Sequence, residues 1–357
     1  MSAPTSAIAT NNGDIGGGEV MLLNIAGALR DLGHEVMVIG PASPGELVRL
    51  AQKSGFQTTT LRATNRREYI VSLCLWRLRH RRIPLWCNGL VPSFATAGIG
   101  PRIVHFHILP VGLNAVAARV GKLAARRVLV PSQFMADRIP GSKVLVNWTE
   151  EIPFRPRSIS VDQPLRIGFL GRLTRDKGVD VLARAVRSII RETDRDVQLI
   201  LAGENRFGSD ADDREIVAAL APIADRVIER GWVARDMFFD DIDLAVFPSV
   251  WEEPFGLVAA EAMAAGVPFI ISDSGALPEV AGSRHPWIAE RGDSEDLARV
   301  LSAAVDDLSS SEKVVAASRS RWEREFSPRA GKVALVSLLS GMAHETPENR
   351  RKGVKSA

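Results

Sequence analysis

The chain has 357 residues, of which 46% are hydrophobic and 24% charged, a composition typical of a globular protein with two domains. Its net charge of +3 is small for this length and argues against a nucleic-acid-binding protein. Cys74 and Cys87 exclude a disulfide framework and fit no metal-site spacing. No apolar run approaches the roughly 18 residues that span a bilayer, and the N-terminus lacks a signal-peptide pattern. We therefore expect a cytoplasmic protein of enzyme size.

Short β-branched runs alternate with helical patterns along the chain. The first half predicts strands at 7–10 and 34–40, helices at 17–33 and 44–55, and further strands at FQTTTL, IPLWC, RIVHFHI and RRVLVPS. The second half predicts strands at 165–171, 197–203, 226–232, 242–249 and 268–273, and helices at 177–191, 212–221, 255–265 and 294–306. This order indicates two α/β domains with parallel sheets, joined by a Pro-rich stretch near 150–164. Because such sheets bind ligands beyond the carboxyl ends of their strands, two facing domains predict a cleft.

The first candidate site is GRLTRDKG at 171–178, directly after a predicted strand. Arg172 and Lys177 follow the strand's carboxyl end, and a helix is predicted to start near Lys177. A helix N-terminus carries free N–H groups and a partial positive charge, so two added cations would suit a diphosphate. The alternative is a pair of solvated basic residues in a loop.

The second candidate site is WEEPFGLVAAEAMAAGVP at 251–268, where Glu261 is the only charge inside an otherwise apolar helical pattern. A buried carboxylate needs hydrogen-bond donors, which sugar hydroxyls could supply. Pro254 is predicted in the first helical turn, with Glu253 just before it, beside amides that can bind phosphate or hydroxyl oxygens. Those amides belong to Phe255, Gly256 and Leu257. The alternatives are helix capping by Glu253 and a core ion pair of Glu261.

Two weaker signals lie in the first half. Gly16, Gly17 and Gly18 follow the first strand and would let a phosphate approach the backbone, although they match neither a dinucleotide fingerprint nor a P-loop and could form a plain turn. His105 and His107 are predicted on one face of a strand, with His107 at its carboxyl end. No third metal ligand is near in sequence, so a packed or hydrogen-bonded histidine is the alternative to a site.

Residues 62–82 hold seven arginines and one glutamate around a helical pattern. Tyr69, Leu73 and Trp76 share one face, and Val71, Leu75 and Leu78 lie on a neighbouring face. A basic amphipathic helix can lie on anionic lipid, which would make the protein peripheral at the inner face of the membrane. The alternative, which the pattern favours, is a surface helix packed on the sheet.

Taken together, the motifs resemble the retaining glycosyltransferases of family 4, also described as glycosyl transferases group 1. The resemblance rests on the spacing from Glu253 to Glu261 with its Pro-Phe-Gly and Ala-Met-Ala-Ala-Gly-x-Pro, on GRL-x-x-DKG, and on the Gly-Gly loop leading to LRDLGHEV. It covers about residues 11–340. One departure is IPLWCNG, which has Trp86, Cys87 and Asn88 where many relatives carry a histidine-containing strand end.

The resemblance implies a GT-B fold of two doubly wound Rossmann-like domains facing a central cleft. It implies an acceptor-side domain at 1–150, a linker at 151–163, a nucleotide-sugar domain at 164–327 and a helix at 328–343 that returns to the first domain. The polar tail at 344–357 is predicted to be disordered.

The resemblance also implies roles for individual residues. Catalysis would involve Arg172, Lys177, Glu253 and His107. The donor would be bound by Gly17, Gly171, Arg172, Lys177, Gly203, Glu253, Phe255, Gly256, Leu257 and Glu261, with Glu253 on the sugar and Glu261 on the ribose. The acceptor side would include Gly16, Gly18, His107 and Ser132.

The implied reaction transfers a sugar with retention of configuration from a nucleotide-diphosphate sugar, UDP- or GDP-linked, to a hydroxyl acceptor. It implies no metal and no other cofactor, because the cations and the helix N-terminus stabilise the leaving diphosphate. The setting implied is glycan or cell-envelope synthesis. Competing hypotheses are a GT-B epimerase or phosphorylase, and a non-catalytic sugar-nucleotide sensor or partner of an active transferase.

Overall fold

The computed structural model describes residues 5–156, 163–192, 196–204 and 210–343, which form two compact α/β units. The first unit contains the described residues up to Trp148 and those from Pro328 onwards, and the second contains those from Thr149 to Ser327. The tail at 344–357 and residues 157–162 of the predicted linker lie outside the described residues. The second unit begins ahead of that gap, where the Thr149 N–H donates to the Phe326 carbonyl at 3.0 Å.

The first unit is built on one seven-stranded sheet in which every pair of neighbours is parallel. Its strands are β1 (Ser6–Ala9), β2 (Val36–Pro41), β3 (Gln57–Leu61), β4 (Leu85–Asn88), β5 (Arg102–His105), β6 (Arg127–Val130) and β7 (Lys143–Val144). The intervening helices are α1 (Gly17–Asp31), α2 (Glu46–Lys53), α3 (Arg66–Arg79), α4 (Leu90–Ala95), α5 (Leu113–Gly121) and α6 (Gln133–Arg138). The strand order is β3-β2-β1-β4-β5-β6-β7, so the winding direction reverses between β1 and β4.

The second unit repeats this plan with a six-stranded parallel sheet of order β10-β9-β8-β11-β12-β13, which reverses between β8 and β11. Its strands are β8 (Leu165–Leu170), β9 (Val197–Ala202), β10 (Val227–Gly231), β11 (Leu244–Phe247), β12 (Phe269–Ser272) and β13 (Ile288–Ala289). Its helices are α7 (Val179–Glu192), α8 (Asp210–Leu220), α9 (Arg235–Asp240), α10 (Leu257–Ala265), α11 (Leu277–Ala281), α12 (Ser294–Asp306) and α13 (Leu308–Glu325). The last helix, α14 (Pro328–Ala343), belongs to the first unit.

Successive side chains of a strand point to opposite faces of the sheet, so the core of the first unit has two layers. In β1, Ile8 faces a cluster with α1, α2 and α14, while Ala7 and Ala9 face a cluster with α3 and α4. Helix α4 packs between α3 and α5, so these three helices form one layer on one face of the sheet. The predicted α/β architecture with two parallel sheets is therefore confirmed.

Three predicted boundaries are wrong. A 3₁₀ turn at Arg175–Lys177 and a left-handed Gly178 precede α7, so Lys177 lies before the helix rather than in its first turn. Gly256 is left-handed (φ +97°) and caps α10, which leaves Pro254 outside the helix. β5 ends at His105, so His107 lies in the loop beyond the strand.

Helices α4, α5 and α6 follow strands in the first unit where no helix was predicted. α4 and α6 have only six residues each, too short to show a helical period. α5 has nine residues, but only Ala118 and Gly121 are buried. Its large apolar residues lie on the exposed face, so the usual pattern of a buried apolar face does not identify this helix.

Two fully buried guanidinium groups stabilise the α3–α4–α5 layer through hydrogen bonds to backbone carbonyls. Arg77 donates to the carbonyls of Ile99, His80, Ile83 and Pro101 at 2.5–3.1 Å. Arg102 on β5 donates to the carbonyls of Ser93 and Leu123. Burial lowers the pKa of both groups, and the carbonyl oxygens replace the water that each charge has lost.

Replacing Arg77 with Lys should lower the free energy of unfolding of the first unit by about 2–4 kcal/mol, because one ammonium group does not reach carbonyls on both sides. Urea denaturation followed by circular dichroism measures the change. Arg79→Lys is the matched control, since Arg79 is an exposed arginine of the same helix, and its effect should stay within about 0.5 kcal/mol. Equal stability of the two variants would contradict the role of Arg77.

Candidate active site

The reversal of strand order in the second sheet places two loops side by side. One follows β8 and contains Gly171, Arg172 and Lys177, and the other follows β11 and contains Ser249 and Glu253. Open parallel sheets bind ligands at this point because the loops diverge there. The structure thus brings the two strongest sequence candidates to the same place.

Hydrogen bonds join the two loops into one rigid framework. The N–H groups of Val250 and Trp251 both donate to the Asp176 carbonyl, at 2.9 and 3.1 Å. The hydroxyl oxygen of Ser249 lies 3.2 Å from the same carbonyl, and Ser272 donates to the Ser249 carbonyl at 2.6 Å. The 3₁₀ turn at Arg175–Lys177 is therefore held against the loop that follows β11. This contact fixes the position of Lys177.

Each cation of this site has a carboxylate partner. The Lys177 ammonium group contacts Glu253 Oε1, and the Ser249 hydroxyl donates to that same oxygen at 2.9 Å. Arg172 Nη2 pairs with Asp176 Oδ2 at 3.0 Å closer to solvent. The alternative of helix capping by Glu253 does not describe these contacts, because the N-cap of α10 is Gly256 and Glu253 Oε1 is bound by Lys177 and Ser249. Side chains of both signs thus face one another where the loops meet.

The predicted glycines have close backbone neighbours. A Cβ atom on Gly203, just after β9, would lie 1.8 Å from the carbonyl oxygen of Gly171, so this position cannot carry a side chain unless the backbone moves. A Cβ on Gly256 would lie 2.4 Å from Leu277. Phe255 is buried edge-to-face against Phe326, with ring centroids 5.7 Å apart, so only its backbone can meet a ligand. Leu257 is the first residue of α10.

Glu261 is 3% exposed in the middle of α10, and its two carboxylate oxygens have different surroundings. Oε1 accepts from Arg235 Nε at the start of α9, which agrees with the predicted ion pair. Oε2 is buried and has no hydrogen-bond partner among the described residues. Burial raises the pKa of Glu261, and Arg235 opposes that rise. The free oxygen is an acceptor that still lacks a donor.

The glycine loop of the first unit starts α1 at its own switch point. Gly16 is the N-cap, and the Gly16 N–H donates to Glu19 Oε2 at 3.3 Å in a capping-box arrangement. Thr10 donates to Glu19 Oε1 at 3.2 Å, and burial raises the pKa of this carboxyl. Glu19 therefore holds the loop between β1 and α1, with Gly16 and Gly17 exposed.

His107 belongs to a chain of hydrogen bonds beside this loop. Asn88, the last residue of β4, donates through Nδ2 to the Gly18 carbonyl at 3.0 Å and faces His107 Nε2 with Oδ1 at 2.7 Å. This orientation assigns the proton of His107 to Nε2. Nδ1 then presents a lone pair without a partner among the described residues.

Burial keeps both His105, at the end of β5, and His107, in the loop beyond it, neutral. It lowers the pKa of His107 to about 4 and that of His105 further, with the ring centroids 4.0 Å apart. The predicted packed histidine fits His105, whose ring is fully buried. Ser132 is also buried, and its hydroxyl caps α6 by accepting from the Met135 N–H at 3.2 Å.

Three residues of these sites escaped the sequence analysis, namely Glu19, Arg235 and Ser249, and Asn88 was noted only as a departure from the family pattern. Glu19 carried the one available signal, a carboxylate three residues after the Gly16 cap. The contacts of Asn88, Ser249 and Arg235 join residues far apart in the sequence, so sequence neighbours do not reveal them. Among the described residues, no group of three His, Cys, Asp or Glu side chains is arranged to hold a metal ion.

Two family models match the chain, one in each unit. Residues 15–143 match Glycosyltransferase Family 4, and residues 164–307 match Glycosyl transferases group 1. An uncharacterized glycosyltransferase of Methanocaldococcus jannaschii is 39% identical over 38% of this chain and 34% of its own length. The lipopolysaccharide 1,2-N-acetylglucosaminetransferase of Salmonella typhimurium is 27% identical over 55% of this chain and 59% of its own length. The chain thus spans less than two thirds of these relatives.

Solved structures resemble nearly the whole chain. HepE of Anabaena, crystallised with UDP-glucose, superposes with a TM-score of 0.81 at 21% identity, covering 95% of this chain and 100% of that one. Sucrose-phosphate synthase from Thermosynechococcus elongatus gives a TM-score of 0.79 at 19% identity, covering 94% and 98%. At such identities the likeness establishes the fold. With the two family matches, it places the chain in the GT-B glycosyltransferases, with a family 4 first unit and a group 1 second unit.

Proposed function

We propose that this chain is a retaining glycosyltransferase that moves a sugar from a nucleotide-diphosphate sugar to a hydroxyl of a glycan, a lipid-linked or a small-molecule acceptor. The observation that carries the proposal is the pairing of Lys177 with Glu253 at the switch point of the second sheet, with the free oxygen of Glu261 in the same unit. Relatives named for lipopolysaccharide and capsular polysaccharide synthesis support a role in cell-envelope glycans. HepE, solved with UDP-glucose, supports a uridine nucleotide as donor.

The leaving diphosphate is the proposed partner of the two cations. When the bond between the anomeric carbon and the phosphate oxygen breaks, negative charge grows on the diphosphate. Lys177 and Arg172 stabilise that charge by exchanging their carboxylate partners for phosphate oxygens. The amides of Gly256 and Leu257 add backbone donors. Gly171, whose own N–H donates to the Ala202 carbonyl at 3.0 Å, has no side chain and would let the diphosphate approach the backbone closely. We propose that these donors suffice without a metal ion, and turnover should then persist in the presence of EDTA.

Glu253 and Glu261 are the proposed acceptors for hydroxyl groups. Glu253, once released from Lys177, accepts from the donor sugar, and Glu261 Oε2 accepts from the ribose. The acceptor hydroxyl attacks on the face from which the diphosphate departs, so configuration is retained, and the departing phosphate takes the hydroxyl proton. Neither glutamate acts as a nucleophile in this scheme.

The first unit is the proposed acceptor side. His107 Nδ1 accepts a hydrogen bond from a substrate hydroxyl, and the chain through Asn88 to Gly18 keeps the ring in the required tautomer. The exposed backbone of Gly16 and Gly17 lies on the same loop, with Gly17 proposed to approach a donor phosphate. Ser132 and Gly203 stay predictions as ligand contacts, since their described contacts serve the helix cap and the strand ends.

Calorimetric titration with UDP-, GDP-, ADP- and dTDP-sugars tests the proposal, and one of them should bind and turn over. With that donor, Lys177→Met should lower kcat/KM by about 100- to 1,000-fold, the usual effect of losing a donor to developing charge. Arg175→Met is the matched control, because Arg175 lies in the same 3₁₀ turn but pairs with Glu215 at 2.9 Å. Its effect should be about five-fold or less. Donor binding without turnover against any acceptor would favour the non-catalytic sensor instead.

The ribose contact has a separate test that needs no acceptor. The wild type should bind the nucleoside diphosphate about 10- to 100-fold more tightly than its 2′,3′-dideoxy analogue, because a hydrogen bond to a buried carboxylate is lost. Glu261→Ala should remove most of this discrimination, whereas Glu295→Ala, an exposed glutamate on α12, should keep it. Equal discrimination by Glu261→Ala and wild type would show that Glu261 only holds Arg235.

The neutral state of His107 predicts a pH dependence of stability. Its pKa is about 4 in the folded chain and near 6.5 when unfolded, so the unfolded state takes up the proton first as pH falls. Stability should drop between pH 7 and pH 4, by about 2–3 kcal/mol more in wild type than in His107→Asn. Urea denaturation at both pH values measures this difference. His105 and Glu19 are common to both proteins, and parallel pH curves would contradict the burial of His107.

A further inference from the structure

Positive charge is concentrated in one segment of the chain. Residues 62–127 contain twelve lysines and arginines and a single acidic residue, Glu68, a net charge of +11 in a chain whose total is +3. The rest of the sequence is therefore acidic overall. The segment comprises α3, α4 and α5 with the two strands between them. Arg77 and Arg102 are buried within it, but Arg67, Arg79 and Arg119 are exposed.

α3 has an apolar stripe on its outer side. Tyr69, Leu73 and Trp76 pack on the sheet, which settles the sequence alternative for that face. Val71, Leu75 and Leu78 are exposed, and at 100° per residue they lie on the side of the helix opposite Leu73. Arg67 and Arg79 are on either side of this stripe. The outer face of α3 is thus apolar in the middle and basic at its edges.

α5 repeats the arrangement in the same layer. Leu113, Val116 and Val120 form one stripe opposite the buried Ala118, and Leu113 is 89% exposed. Ile108 and Val111 in the preceding loop are also exposed. Of the fourteen large apolar side chains described as exposed in the first unit, ten belong to α3, α4, α5 or the segments next to α5. So large a concentration marks an interaction surface.

We infer that the outer face of the α3–α4–α5 layer docks on the surface of a bilayer that contains anionic lipid. Apolar stripes edged by arginine fit the boundary between acyl chains and headgroups, and the scarcity of acidic residues suits a negative surface. A second copy of the chain would bring two faces of like charge together, and a nucleic acid would leave the apolar stripes in water. No helix among the described residues is long and apolar enough to cross a membrane.

The docked face would lie next to the proposed acceptor side. Ile108 follows His107 directly, and α5 begins six residues beyond it. Docking would therefore hold the His107 loop near the lipid headgroups. The inference itself stands on the surface alone and does not depend on the proposed glycosyl transfer.

Vesicle co-sedimentation tests the inference with the full chain. Vesicles with about a third phosphatidylglycerol in phosphatidylcholine should pellet the protein in about 0.1 M NaCl, and pure phosphatidylcholine or about 0.5 M NaCl should release most of it. Absence from the anionic pellet at low salt would overturn the inference. Preferential binding to single- or double-stranded RNA with no vesicle binding would also overturn it.

Matched substitutions locate the contact. Val116→Glu on α5 should weaken vesicle binding at least ten-fold, whereas Val333→Glu on α14, with the side chains 55% and 64% exposed respectively, should leave it within about two-fold. Arg119→Glu should weaken it at least about five-fold, and Arg49→Glu on α2 should not, although both change the net charge equally. α2 and α14 pack on the opposite face of the sheet.

Two controls keep these results interpretable. Circular dichroism and donor affinity should be unchanged in Val116→Glu, so that a failed fold or a failed donor site is distinguished from lost docking. Sedimentation velocity should show that wild type and Val116→Glu have the same oligomeric state. A dimer that Val116→Glu dissociates, together with vesicle binding that it leaves intact, would assign the face to a second copy and overturn the inference.

Discussion

Lys177 and Glu253 are 76 residues apart in the chain, and they meet because β8 and β11 are neighbours although β9 and β10 come between them. An ammonium group and a carboxylate that are largely withdrawn from water each need the other, since neither would be stable there alone. In the proposed reaction the diphosphate replaces the carboxylate beside Lys177, so one anionic partner is exchanged for another. The framework of hydrogen bonds around the Asp176 carbonyl keeps the lysine in place during the exchange. Such fixed charge requires little reorganisation when negative charge develops.

Glu261 is a second carboxylate that needs a partner because it is withdrawn from water, and it is more deeply buried than Glu253. One of its oxygens is paired with Arg235, whose side chain is half exposed at the start of α9, and the other has no donor among the described residues. A carboxylate in these surroundings would be neutralised by a raised pKa unless donors reach it. Arg235 is one such donor, and a ribose hydroxyl would be a second. The site therefore favours a ligand that supplies a hydroxyl group at this point, which explains how a helix of alanine, valine and methionine tolerates an acid.

Sequence patterns predicted the strands and helices well where an element is long enough to show its hydrophobic period. The buried strands and the long helices α1, α7 and α12 were found because they show their period over enough residues. The starts of α7 and α10 were missed because left-handed Gly178 and Gly256 delay each helix, and backbone conformation is not visible in composition. Motif spacing located Glu253 correctly on its loop and Glu261 correctly on its helix. It did not reveal Asn88 beside His107 or Arg235 beside Glu261, because those contacts depend on strand order and helix packing.

The α3–α4–α5 layer reverses the usual distribution of charge, with arginines inside and apolar stripes outside. Arg77 and Arg102 together bind carbonyls at the ends of α3, α4 and α5 and in the turn before β5. These bonds fix the three helices relative to the sheet. A surface that is already rigid loses little conformational entropy when it binds, so more of its contact energy is retained as affinity. The hydrogen bonds of the two buried guanidinium groups therefore have a second effect. They hold the apolar stripes of α3 and α5 in the fixed geometry that a flat lipid surface requires.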